Sequence, residues 1–92
     1  MLESKIERAV CDYAHGKGVA AYKFTSPSRA AVPDRLFIAP GGRVWFCEFK
    51  RTGAVPTAAQ EREHSRLRAL GVMVFVIDNA GDGRAMVDGM LQ

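Results

Sequence analysis

The chain has 92 residues, enough for one domain, and a domain this short buries only about 60–65% of its unfolded surface. With 48% hydrophobic and 25% charged residues it has the make-up of a folded globular protein rather than a disordered one. The formal charge of +3 suits a polyanionic partner without requiring one, and no apolar run approaches the ~20 residues of a membrane span or has the form of a signal peptide.

Residues 2–14 have helical spacing in Leu2, Ile6, Ala9, Val10 and Tyr13, with Gly16 and Gly18 as the stop. Residues 19–25 suit a strand, and 26–33 read as a loop carrying two prolines. Residues 35–39 and 43–50 are two strand-forming runs separated by Pro40-Gly41-Gly42, which is a hairpin signal. The second run is apolar on both faces and so belongs inside the sheet. Thr57 and Gln60 form a capping-box pattern at the start of a helix that ends near Gly71. Residues 72–77 are an unbroken apolar run, expected as a strand covered on both faces. The helix preceding it favours parallel pairing. A last helix over roughly 83–91 carries Met86, Val87, Met90 and Leu91. The stretch Asp78-Asn79-Ala80 to Gly89 is no calcium loop, because it has Ala80 at the third position and Gly89 at the twelfth. Cys11 and Cys47 fall in a helix pattern and a strand pattern, and read as reduced core thiols of a cytoplasmic protein. The order is helix, three strands, helix, strand, helix, which makes an α/β domain with a mixed sheet between helices.

The chemistry lies in the hairpin. If Pro40-Gly41-Gly42 is a three-residue loop, Ala39 faces Arg43, Leu36 faces Phe46, and Asp34 falls opposite Glu48. Like charges there are unfavourable, and Glu48 is on the Val44–Phe46 face of an interior strand, where an unpartnered carboxylate is costly. A hard divalent cation offsets both penalties, since carboxylates and other oxygen ligands are what Mg²⁺ takes. Lys50, two residues beyond Glu48, shares its face and can orient a water or stabilise charge on a phosphate. The plainer alternative is that Asp34 ends a turn while Glu48 and Lys50 form a surface ion pair.

Val32-Pro33-Asp34 followed by Glu48-Phe49-Lys50, after a helix bearing glutamates, resembles the PD-(D/E)xK nuclease superfamily. The run Tyr22 to Arg29 ahead of Val32-Pro33-Asp34-Arg35, with Gln60 and then Leu70-Gly71 after Glu48-Phe49-Lys50, is similar to its virus-type replication-repair (VRR-Nuc) family. The resemblance spans about residues 3–78 and departs at Ala31, where the family usually has glycine. It implies a restriction-endonuclease-like α-β-β-β-α-β core, with 1–92 as a single VRR-Nuc-like domain. In that core Asp34, Glu48 and the Phe49 backbone carbonyl bind Mg²⁺ or Mn²⁺, and Lys50 assists the attacking water. It further implies hydrolysis of DNA phosphodiesters, for instance in branched DNA such as four-way (Holliday) junctions during repair, by a homodimer that needs no nucleotide cofactor. A DNA-binding module that keeps the fold without the chemistry is the alternative.

The family also uses an acid from the first helix, and Glu3 competes with Glu7 for this role. Projected at about 100° per residue, Glu3 flanks the apolar stripe while Glu7 points further toward solvent. Glu3 is therefore the choice, as a catalytic residue and a further metal ligand, although either acid could simply complement the helix dipole. Gln60 matches a family glutamine near the metal, and also fits the capping box. His64, one turn later, reads as a partly exposed helix histidine. Lys23, Arg29 and Arg51 are the expected DNA contacts, whereas Arg62, Arg66 and Arg68 alternate with acids as a solvated face would.

Overall fold

The computed structural model describes residues 1–92. Its elements are α1 (Glu3–Gly16), β1 (Ala20–Lys23), β2 (Arg35–Ile38), β3 (Val44–Phe49), α2 (Ala58–Ala69), β4 (Val74–Ile77) and α3 (Ala80–Met90). The strands form one sheet in the order β1-β2-β3-β4, antiparallel across the first two pairings and parallel between β3 and β4. This is the expected α-β-β-β-α-β core with a mixed sheet, closed by a third helix.

The hairpin has the counted register, with Leu36 opposite Phe46, Phe37 opposite Trp45 and Ile38 opposite Val44. Gly41 and Gly42 both turn with positive φ (89° and 85°), a conformation open to glycine and strained for other residues. The Ala39 amide then donates to the Arg43 carbonyl at 2.8 Å, closing the loop.

The two faces of the sheet differ in what covers them. Alternation along the strands sends Phe37, Trp45, Cys47, Phe49 and Ile77 to one face, where Ile6, Val10 and Ala14 of α1 and Met86 and Val87 of α3 complete a single apolar cluster. Phe37 and Trp45 stack there with centroids 5.3 Å apart and planes 4° apart. α1 and α3 meet at Gly83, where an added Cβ would fall 2.2 Å from Val10 Cγ2. Cys11 and Cys47 are both free thiols, and burial pushes the Cys47 thiol well above its ordinary range.

The other face carries Leu36, Phe46, Glu48, Val74 and Val76, with Phe24 edge-on to Phe46 at 4.9 Å. α2 crosses it, and the residues α2 buries are Glu63 and His64. A helix stabilised by packing presents an apolar stripe, so one that buries a carboxylate and an imidazole points to a role other than core formation.

Four details differ from the sequence expectations. Leu2 caps α1 from outside and is 64% exposed, so the stripe begins at Ile6. β4 begins at Val74 and is an edge strand whose Phe75 and Val76 are only half-buried, because α2 and α3 each cover part of it. α3 begins at Ala80 rather than 83, since the Asn79 side chain accepts from the Asp82 amide at 2.8 Å and caps the helix earlier. Glu7 is turned toward the sheet, as described below.

Candidate active site

The site lies at the carboxyl ends of the parallel pair β3 and β4. Extending the β2–β3 register by one residue sets Asp34 opposite Glu48, and the Phe49 amide donates to Asp34 Oδ2 at 2.9 Å. Asp34 is thereby fixed on β3 by a charge-assisted bond, with its second oxygen unspent. Lys50 continues the ladder by donating its backbone N–H to the Ile77 carbonyl at 2.9 Å. This holds Lys50 half-buried on the Glu48 face.

Glu48 is 2% exposed. Gln60 Nε2 donates to its Oε2 at 3.3 Å, while the Gln60 backbone and side chain also complete the capping box with Thr57. One side chain thus both completes the cap and reaches Glu48. The other oxygen, Oε1, is 3.6 Å from His64 Nε2, too far for a hydrogen bond. These two atoms and Trp45 Nε1 are the buried side-chain atoms left without a partner. Burial and then the neighbouring Asp34 carboxylate push the Glu48 carboxyl up to about 8, with Glu3 adding to the effect and Lys50 opposing it. His64 is held below its ordinary value by burial and then by the charges of Arg68 and Lys50.

His64 is 1% exposed, which overturns its reading as a partly exposed helix histidine. Its one sequence signal was the spacing from Gln60, since whatever Gln60 reaches from α2, His64 faces one turn later.

The helix acids exchange places relative to expectation. Glu7 is 13% exposed and bonds Arg35 Nε at 2.6 Å, with Lys23 Nζ at 3.7 Å. It faces the sheet because Arg35 and Lys23 project from the α1 side. Glu3 is the exposed acid. The residues entering α1 are tied to the turn following Lys50 through the Thr52 amide, which donates to the Met1 carbonyl at 3.3 Å, and from there Glu3 contributes to the field at Glu48. No group of three or more His, Cys, Asp or Glu side chains converges as a metal cage. Asp34, Glu48, Lys50 and Gln60 are thus brought together, and Glu3 stays at the rim.

Of the expected DNA contacts, Lys23 is on the α1 side of the sheet beside Glu7. Arg29 is in the loop leading to Asp34, and Arg51 is exposed just beyond Lys50.

An aspartate before an interior hairpin, a buried Glu-x-Lys on its second strand and a helix glutamine over that glutamate define a restriction-endonuclease-like nuclease of the PD-(D/E)xK class. A solved structure described as a VRR_NUC domain superposes with a TM-score of 0.86 over 94% of both chains at 29% identity. "Putative nuclease p44" of Acyrthosiphon pisum secondary endosymbiont phage 1 is 47% identical over 77 residues, covering 84% of this chain and 83% of the phage protein. No family model matches the chain. The chain belongs to the VRR-Nuc nucleases.

Proposed function

We propose that the protein is a metal-dependent DNA endonuclease that acts on branched DNA such as four-way junctions, working as a homodimer. The observation that carries this reading is the pairing of half-buried Asp34 with buried Glu48, in which Glu48 Oε1 has no partner while Lys50 stands on the same face.

The donor set fits Mg²⁺ or Mn²⁺. Two adjacent carboxylates and a stranded buried oxygen are what a hard dication satisfies, and an ion that keeps several of its waters does not need a three-carboxylate cage. Asp34, Glu48 and the Phe49 carbonyl would hold it, and when bound it polarises a phosphoryl oxygen and makes water a stronger nucleophile.

The side chains divide the remaining work. The Phe49 amide and Gln60 hold the two carboxylates against their mutual repulsion, so little reorganisation is needed on binding. The Lys50 ammonium offers donors to the incoming water and to the charge that grows on the phosphate. Apolar residues behind Glu48 exclude bulk solvent, which strengthens each of these interactions.

Labelled four-way junction, flap and linear DNA incubated with Mg²⁺, Mn²⁺ or EDTA provide the test. Metal-dependent cleavage of the junction by wild type, lost in Asp34→Ala and Lys50→Ala while DNA binding persists, is the expected result. Binding without cleavage under every metal condition would leave only a DNA-binding module. A one-chain mass in gel filtration at micromolar concentration would refute the dimer.

A further inference from the structure

Arg62 and Arg66 are exposed, as expected of a solvated face, but they converge with a third arginine. Arg29, Arg62 and Arg66 line one cavity of about 370 Å³ together with Glu63, and Ala31 and Ala59 keep its walls short. At its base Glu63 is only 6% exposed. Arg29 Nε donates to Glu63 Oε1 at 3.1 Å, and Arg66 grips both oxygens through Nε at 3.2 Å and Nη2 at 3.1 Å. A guanidinium has five N–H donors. Arg29 spends one of its own here, so its two terminal nitrogens are left over. Arg66 retains Nη1, and Arg62 makes neither a hydrogen bond nor an ion pair.

Three guanidiniums against one carboxylate leave the cavity with an excess of positive charge. The carboxylate orients two of them in advance, which reduces the ordering cost when an anion binds. Unspent, planar N–H forks are suited to phosphate oxygens. The cavity and the active site draw on the same loop and the same helix. Arg29 lies in the loop that ends at Asp34, and Glu63 immediately precedes His64, which faces Glu48. From this we infer that the Arg29–Arg62–Arg66 cavity is a phosphate-binding subsite for the DNA strand that enters the active site. The inference rests on the nuclease reading and adds to it the residues that position the strand.

Arg62 is the residue to test, because it has no partner whose loss would disturb the fold. DNA duplexes of one sequence, with 5′-phosphate or 5′-hydroxyl ends, are titrated by fluorescence anisotropy in EDTA at several salt concentrations. Arg62→Gln and Arg62→Glu are compared with wild type and with Arg84→Gln, an equal change of charge on α3. Each phosphate contact on duplex DNA contributes about 0.9 to the slope of log K against log salt. Arg62→Gln should therefore make the slope shallower by about one, Arg62→Glu should weaken binding further, and Arg84→Gln should retain the wild-type slope. A deficit confined to 5′-phosphorylated DNA assigns a terminal monoester to the cavity, and an equal deficit on both assigns a backbone diester. If Arg62→Gln and Arg84→Gln have the same slope, the subsite is refuted, even if wild type cleaves DNA. If wild type does not cleave but Arg62→Gln still flattens the slope, the hydrolytic reading fails and the phosphate subsite stands.

Discussion

Replacing Glu48 with glutamine should stabilise the metal-free protein at alkaline pH and leave it nearly unchanged in mild acid. The Glu48 carboxyl is pushed up to about 8 from an ordinary 4.5, first by burial and then by Asp34. An acid whose folded pKa is raised holds its proton in the native state after the unfolded chain has released it. Its contribution is therefore fully present below the unfolded value and is lost as pH rises through the folded one. One unit corresponds to about 1.4 kcal/mol, so the full interval represents roughly 4–5 kcal/mol. Relaxation of Asp34 and water entry should reduce this to about 2–4 kcal/mol, still a large part of the roughly 5–15 kcal/mol that holds a domain together. Glutamine keeps the shape and can still accept from Gln60 without ionising. In urea unfolding with EDTA, Glu48→Gln should match wild type near pH 5 and exceed it by about 2–4 kcal/mol near pH 9. Mg²⁺ should narrow the alkaline gap, because an ion bound only to the native state raises wild-type stability by mass action. A difference that stays constant between acid and alkali would refute the account of Glu48 as a buried, repelled carboxylate.

Asp34→Asn and Lys50→Ala should each lower the cleavage rate by at least about 10²–10³, the scale for losing one preorganised electrostatic contact. Single-turnover assays with DNA affinity measured separately would check this. Gly83→Ala drives a methyl against Val10 between α1 and α3 and should cost about 1–3 kcal/mol in thermal unfolding, as overpacking does. Ala31 sits at φ 64°, where an alanine costs about 1–2 kcal/mol. Ala31→Gly relieves that strain against about 0.4–1 kcal/mol of unfolded-state entropy, so a net gain of about 0.5–1 kcal/mol should raise the melting temperature by a few degrees.

What could be read before folding was whatever depends on counting along a strand or a cap. The Pro40-Gly41-Gly42 loop set the partner of every residue back to Asp34, and the observed register agrees. The Glu48–Lys50 spacing and the Thr57–Gln60 cap also follow from local geometry. Glu7 and His64 were misjudged for a common reason. A helical projection gives an angle around an axis and says nothing about which charges another element presents there. Arg35 of β2 draws Glu7 inward, and Glu48 of β3 faces His64. On α2 the buried stripe is polar, so hydrophobic periodicity carried no signal for which side would be covered. Arg62 and Arg66 were hidden similarly, because their convergence with Arg29 needs the loop before Asp34 folded against the helix.

The unequal covering of the sheet has a consequence for how this protein tolerates change. Cohesion comes mainly from the α1–α3 side, whereas α2 contributes few apolar contacts and most of the polar residues. Substitutions along the outer turns of α2 should therefore alter which DNA is held and how firmly while leaving the molecule folded. A mutant library would divide by sheet face into variants lost from the soluble fraction and variants that stay soluble with changed substrate preference. Selection could in this way adjust recognition through α2 while the α1–α3 side keeps the scaffold folded.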